Sequence, residues 1–117
     1  MDQIILVNAI RCRKCGDLIV STYVHDFKFC SCKSCAVDGG REYLRRAGNP
    51  SDAEDLSSMY KPDVPLMKQR PMILRAKEIL ESEKRKMVCD EIGISRLRYV
   101  DDALEEVDGL IEQMKGL

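Results

Sequence analysis

The apolar positions divide the chain into an N-terminal part with short β-type runs and a C-terminal part with helical periodicity. The first part contains the apolar run 4–7, the β-branched and aromatic run 18–24 and the alternating segment 27–29. Runs of this kind predict three strands. Residues 37–40 predict a turn because two glycines tolerate positive φ, whereas residues 42–46 fit either a strand or a helical turn.

Two stretches of the C-terminal part repeat apolar residues at helical spacing. Gly93 has the position of a helix C-terminal cap and Ser95 that of the next N-cap, so the first stretch is expected to end near residue 92. The second stretch has the 3-4-3-4-3 spacing of a heptad seam. Isolated helices of this length are marginal, so the seam predicts a helical hairpin, with a dimer as the alternative. The apolar residues are Met72, Ile73, Ala76, Ile79, Leu80, Met87 and Val88, then Leu97, Val100, Leu104, Val107, Ile111 and Met114.

All four prolines of the chain lie between residues 48 and 71. This segment is interpreted as a linker, in which the capping-box pattern of residues 51–54 indicates one short helix. The predicted fold class is therefore α+β, with a small zinc-stapled β module at 1–47, a proline-rich linker at 48–71 and a helical hairpin at 72–117.

Composition supports a soluble protein with a small metal-stapled module. The chain has 117 residues, no tryptophan and two phenylalanines, and a module of about 40–50 residues usually needs a staple. Residues 1–48 carry eight bases and five acids, and residues 96–117 three bases and six acids. No apolar run is long enough to span a bilayer, and residues 1–7 lack the basic start of a signal peptide, so we expect a cytoplasmic protein.

Five of the six cysteines form the pattern Cys12-x2-Cys15 and Cys30-x-Cys32-x2-Cys35. In a reducing compartment such clusters are typical of metal sites, and closely spaced thiolates suit a structural Zn²⁺ ion. Cys12 and Cys15 form a zinc knuckle followed by a glycine. For the other two ligands, spacing favours Cys32 with Cys35, and Cys30 with Cys32 is the alternative.

The remaining candidates for chemistry are few. His25 is a weaker metal candidate, and Cys89 is interpreted as a buried small hydrophobe. The sequence has no phosphate loop, nucleophile elbow or second histidine, so we expect no enzymatic activity. Residues 93–98 resemble the turn of a helix-turn-helix motif, with Arg96 and Arg98 positioned for DNA. The acids that follow disfavour direct nucleic-acid binding.

A longer motif carries a resemblance to a family. It consists of Cys12-Arg-Lys-Cys15-Gly-Asp-Leu-Ile, His25-Asp-Phe-x2-Cys30-x-Cys32 and Val37-Asp-Gly-Gly-x2-Tyr-Leu-Arg-Arg. Over residues 4 to about 58 the chain resembles an uncharacterised family of small zinc-ribbon-like proteins from phages and prophages of Gram-positive bacteria. The family pattern aligns its second cysteine pair with Cys30 and Cys32, leaves Cys35 as a spare, and commonly has glycine where Lys33 stands.

The occurrence of the resembled family in phages implies a function. Small phage proteins of this kind often block host defences, and the chain also looks like the zinc-binding type of anti-CRISPR protein. The expected function is a non-enzymatic inhibitor that contacts a host defence protein, such as a type II CRISPR effector nuclease, in the cytoplasm of the bacterial host. The alternative is a small DNA-binding regulator.

Overall fold

The computed structural model describes residues 3–87 and 91–116, and it shows an α+β protein with β-sheets first and two helices after them. The strands are β1 (Ile4–Cys12), β2 (Leu18–Ser21), β3 (Lys28–Phe29), β4 (Cys35–Asp38), β5 (Arg45–Gly48), β6 (Ala53–Asp55) and β7 (Ser58–Tyr60). The helices are α1 (Arg70–Met87) and α2 (Glu91–Lys115). The predicted fold class is therefore confirmed, together with the helical hairpin.

The chain divides into two compact units, which we call the β unit (Val7–Ser57) and the helical unit (Met1–Leu6 with Ser58–Leu117). In the β unit, β1 pairs antiparallel with β2 on one side and with β6 on the other, and a second sheet has the order β3–β4–β5. Strand β7 also pairs with β1, whose first residues belong to the helical unit.

Strand β1 is buried along nearly its whole length. Its side chains from Ile5 to Ile10 are all buried, and Leu6 and Ala9 have no exposed surface. A continuous apolar run is what a strand covered on both faces requires. The predicted run at 4–7 is thus the beginning of a longer strand.

Strand β4 was not predicted, because residues 35–38 are short and lack β-type alternation. All four of its residues are buried, and the predicted turn begins after it, where Gly39 and Gly40 adopt φ of 106° and 53°. A Cβ on Gly40 would lie 2.4 Å from the backbone carbon of Tyr23, so the turn needs glycine for close approach as well as for φ. The ambiguous segment 42–46 ends in strand β5.

The polar centre of the β unit is Asn8, which has no exposed surface. Its Nδ2 donates hydrogen bonds to the carbonyls of Asp38 (2.9 Å) and Gly40 (3.0 Å), and its Oδ1 accepts one from Arg46 (2.6 Å). Arg46 also donates to Ser57 Oγ at 2.6 Å. This network ties β1 to the turn after β4 and to β5, since a buried amide must satisfy all its polar groups.

The proline-rich segment 48–71, interpreted as a linker, contains several short elements. Two are single 3-10 turns, Pro50–Asp52 and Leu66–Gln69, and two are the strands β6 and β7. Gln69 is buried and holds the last stretch in place, since its side chain donates to the carbonyls of Lys61 (2.9 Å) and Val64 (3.0 Å) and accepts from Lys61 N (2.8 Å). Prolines here bound short elements rather than an unstructured tether.

The helical unit buries one face of each helix. In α1 the buried apolar residues are Ile73, Ala76, Ile79, Leu80 and Met87, all members of the predicted set. In α2 they are Val100, Ala103, Val107, Leu110 and Met114. The heptad spacing is kept, but Ala103 and Leu110 are buried more deeply than Leu104 and Ile111, which lie half-buried at the edge of the stripe.

The predicted boundary between the helices is wrong. Helix α2 begins at Glu91 and continues through Gly93 and Ser95, so neither residue acts as a cap. One glycine costs a helix only about 1 kcal/mol, which tertiary packing readily offsets. The predicted burial of Cys89 lies outside the described residues.

Candidate metal centre

The first half of the candidate centre is a tight turn at the end of β1. Cys12 is the last residue of the strand, and its Sγ accepts a hydrogen bond from the backbone N–H of Cys15 at 3.4 Å. Gly16 follows with φ of 77° and donates its N–H to the carbonyl of Cys12 at 2.9 Å. The left-handed glycine turns the chain back, so that both thiols point to the same side.

The second half repeats this arrangement after β3. The N–H of Lys33 donates to the carbonyl of Cys30 at 2.9 Å, and Lys33 has φ of 61°. It is the only residue other than glycine with positive φ among those the structure describes. Each cysteine pair is therefore followed at once by a left-handed residue: Gly16 after Cys15 and Lys33 after Cys32.

Asp17 joins the two turns. Its Oδ2 accepts a hydrogen bond from the backbone N–H of Ser31 at 2.7 Å and another from the Ser31 hydroxyl. Ser31 lies between Cys30 and Cys32, so a side chain from the first turn positions the second. This contact joins residues far apart in sequence, and sequence reasoning gave Asp17 no role.

Four thiols meet at this place and could hold a metal ion. The Sγ atoms of Cys12, Cys15, Cys30 and Cys32 all lie within 4.8 Å of one another. The Sγ of Cys32 is 3.6 Å from that of Cys12 and 3.6 Å from that of Cys30. Ligand sulfurs about 3.8 Å apart are what a tetrahedron with bonds of about 2.3 Å requires. The geometry and the soft thiolate donors thus fit a four-coordinate metal.

The other two predicted candidates lie outside this group of four. Cys35 begins β4 and is buried, with its Sγ 3.8 Å from that of Cys30. His25 is exposed in the segment between β2 and β3 and is not among the grouped ligands. Cys35 therefore contacts the cluster from the core side, whereas His25 does not join it.

Cys30 and Cys35 differ in their protonation. Burial alone raises the pKa of the Cys30 thiol, but hydrogen bonds from the backbone of Cys35 and from the thiols of Cys32 and Cys12 outweigh it and lower the pKa to about 6. Burial, with the neighbouring Cys30 and Cys12 sulfurs, raises the pKa of Cys35 to about 12. Cys30 thus has the character of a thiolate ligand, and Cys35 that of a neutral thiol able to donate to it.

The cluster is also part of the core of the β unit. Cys12, Cys30 and Cys35 pack with Ile10 and Val37, and Ile19 and Ala53 lie against them. Two of the four grouped cysteines, Cys12 and Cys30, are buried, and the other two are exposed. A metal held here would join core strands directly, with one side facing solvent.

The comparisons with known proteins add one finding. A family model described as a domain of unknown function (DUF7695) matches residues 4–48, which is less than half of the chain but contains all five clustered cysteines. No curated protein matches, and no solved structure matches.

Sequence reasoning also missed Asn8. The sequence feature that could have revealed its role is a single amide inside the apolar run of β1, because a buried polar residue needs hydrogen-bond partners. Its partners come from residues 30 to 38 positions away, so the sequence could indicate that a network exists but not what completes it.

Among the described residues, no helix combines the length and apolar character needed to cross a membrane.

Proposed function

We propose that the chain is a zinc-stapled, non-enzymatic protein that acts by binding another protein. The observation that carries this proposal is the convergence of four thiols within 4.8 Å. Four thiolates fill a tetrahedral coordination sphere, whereas a catalytic zinc keeps a position open for water or substrate. Zinc in this site would stabilise the fold, and the function would then depend on contacts made by the protein surface.

A groove in the helical unit has the character of a solvated surface. It lies between α1 and α2 with a volume of about 740 Å³ and is lined mainly by charged side chains. Two of its acids are already paired, Asp108 with Lys77 at 2.8 Å and Asp101 with Lys84 at 2.7 Å. Exposed ion pairs of this kind are typical of a solvated helical surface.

The finer proposal is that the bound protein is a host defence protein, most specifically a type II CRISPR effector nuclease. Support comes from the resemblance of the cysteine and Gly-Gly motifs to zinc-ribbon-like phage proteins. The matched family model covers most of the same residues and has no assigned function. The helical unit lies largely outside that match, and a variable appendage of this kind would suit partner specificity.

The first test is metal content. Purified protein is expected to contain one Zn²⁺ per chain by elemental analysis, and Co²⁺ substitution should give the intense charge-transfer absorption of thiolate ligands. Cys32→Ser should reduce affinity strongly because Cys32 Sγ lies close to two other sulfurs. Binding of iron in place of zinc, or no binding, would overturn the zinc assignment.

The second test is inhibition. The zinc-loaded protein is titrated into DNA-cleavage assays with a panel of purified type II effector nucleases, and stoichiometric inhibition of at least one is expected. If no nuclease in the panel is bound or slowed, the inhibitor proposal fails. Arg96→Glu with Arg98→Glu tests the DNA-binding alternative, although Arg98 already donates to Tyr99 Oη at 2.9 Å.

A further inference from the structure

Both phenylalanines of the chain lie side by side on the surface of the β unit. Phe27 is 46% exposed and Phe29 52%, and their ring centroids are 5.1 Å apart in an edge-to-face arrangement. The chain has no tryptophan and no other phenylalanine, so both of its largest purely apolar rings are about half exposed. Clustered exposed aromatic side chains are typical of protein-binding surfaces.

The strand register shows which residues share this face. Phe29 lies opposite Ala36, and Ala36 lies opposite Ala47, in one row across the β3–β4–β5 sheet. Residues opposite one another point to the same side of a sheet. Ala36 has no exposed surface, and a phenylalanine side chain reaches well beyond an alanine methyl group. The Phe29 ring at the edge of the row, with the Phe27 ring packed against it, is therefore the apolar group that this face offers to a partner.

The next row adds a charged group. Asp38 on β4 lies opposite Arg45 on β5, and the Phe27 ring packs against the Phe29 ring at the β3 edge of the same sheet. The Arg45 side chain is 68% exposed and reaches the buried Asp38 carboxylate at 3.9 Å. The other Asp38 oxygen has no hydrogen-bond partner among the described residues. A guanidinium has five N–H groups, and a single contact with Asp38 does not occupy all of them, so the exposed Arg45 side chain can also serve an incoming carboxylate.

Charge argues for a protein partner and against nucleic acid. The β unit contains eight bases and seven acids, and four metal-bound thiolates would make it more negative. On this face, the three described strands place one exposed cation, Arg45. Nucleic-acid surfaces need a cluster of cations to neutralise several phosphates, whereas one arginine beside exposed aromatic rings matches the composition of protein interfaces.

We propose that the face formed by Phe27, Phe29 and Arg45 is a docking surface for an apolar protein segment that carries a carboxylate. Apolar side chains of the segment pack on the two rings at the β3 edge, and its carboxylate pairs with Arg45 on β5. The docking surface depends on the proposed function in one respect only: both assume that the chain acts by binding another protein. Because the peptide experiment involves no nuclease, a negative result there would contradict the docking surface without bearing on nuclease inhibition.

The test uses ribosome-displayed random peptides of about a dozen residues, selected on the zinc-loaded full chain. We expect enrichment of peptides that combine aromatic or aliphatic residues with Asp or Glu. Phe29→Ser should weaken the binding of selected peptides by about tenfold or more. Arg45→Gln should remove the preference for acidic peptides while apolar binding persists.

Met67→Ser is the matched control, since Met67 is 51% exposed and lies in the helical unit. It should leave peptide affinity unchanged. No enrichment, or peptides that bind Phe27→Ser and Phe29→Ser as tightly as the parent, would overturn the proposal. Tighter binding of an oligothymidine probe through the same rings would assign the face to nucleic acid instead. A dimer lost on Phe29→Ser, detected by light scattering, would assign it to a second copy of the chain.

Discussion

The β unit and the helical unit achieve stability by different means. The core of the β unit includes Cys12, Cys30 and Cys35, and strand β1 contains a buried amide, Asn8, bonded to distant chain segments. The helical unit relies on two apolar helix faces supplemented by exposed ion pairs. The β unit therefore depends on a few specific groups, whereas the helical unit distributes its stability over a repeated pattern.

The largest expected difference concerns the zinc ion that we propose for the four-thiol site. Removing it with a strong chelator should unfold the β unit, because structural zinc contributes about 10–16 kcal/mol apparent free energy in small domains. The helical unit should keep most of its helix, since its described buried face contains no grouped cysteine. Amide hydrogen exchange monitored by NMR, with and without chelator, measures both units at once.

Cys35→Ala supplies the control for the chelation experiment. Cys35 is buried near the cluster but outside the group of four, so the variant should still bind one metal ion and lose only packing. Protected β-unit amides after chelation would show that the β unit does not depend on the metal for its stability. Loss of metal binding in Cys35→Ala would show that Cys35 is needed for the site.

Cavity formation is the next largest effect, and it targets the helical unit. Ile73→Ala on α1 should lower the free energy of unfolding by about 2–5 kcal/mol, because Ile73 has no exposed surface and its truncation leaves a cavity. Urea unfolding followed by circular dichroism measures the change. Met67→Ser, at an exposed position of the same unit, is the comparison and should change stability by less than about 0.5 kcal/mol. Equal losses in the two variants would contradict the cavity explanation.

Removing a single buried amide should lower the free energy of unfolding of the β unit almost as much. Asn8→Ala removes one of the acceptors of Arg46 and leaves the carbonyls of Asp38 and Gly40 without their side-chain donor. We expect a loss of about 1–3 kcal/mol, the cost of unsatisfied buried polar groups. Urea unfolding of the metal-loaded protein reports it, and unchanged stability would show that water replaces the amide.

The smallest effect is a gain. Lys33→Gly should stabilise the metal-loaded β unit by about 0.5–1 kcal/mol, because a lysine at φ of 61° is strained where glycine is not. Lys14→Gly is the matched control in the first turn, where φ is not positive, and it should give no gain. Equal effects of the two substitutions would contradict the backbone explanation.

Local sequence patterns predicted most of the secondary structure but placed some elements imperfectly. The 3.6-residue spacing of Ile73, Ala76 and Leu80 sufficed for α1 because helix periodicity is a property of neighbouring residues. Strand β4 was not predicted because Cys35 and Ala36 are small and its four buried residues show no alternation of apolar and polar positions. The helix boundary was misplaced because α2 runs through Gly93 and Ser95 despite the preference of these residues for helix caps.

The sequence by itself determined that thiols would cluster, since two cysteine pairs with short spacing can each converge through one turn. Tertiary structure decided which thiols meet, because Cys12 and Cys32 are brought together only by the two turns joined through Asp17 and Ser31. It also decided that Asn8 would be a buried hub and that the two phenylalanines would remain exposed. These outcomes depend on pairing between distant segments, which no local pattern encodes.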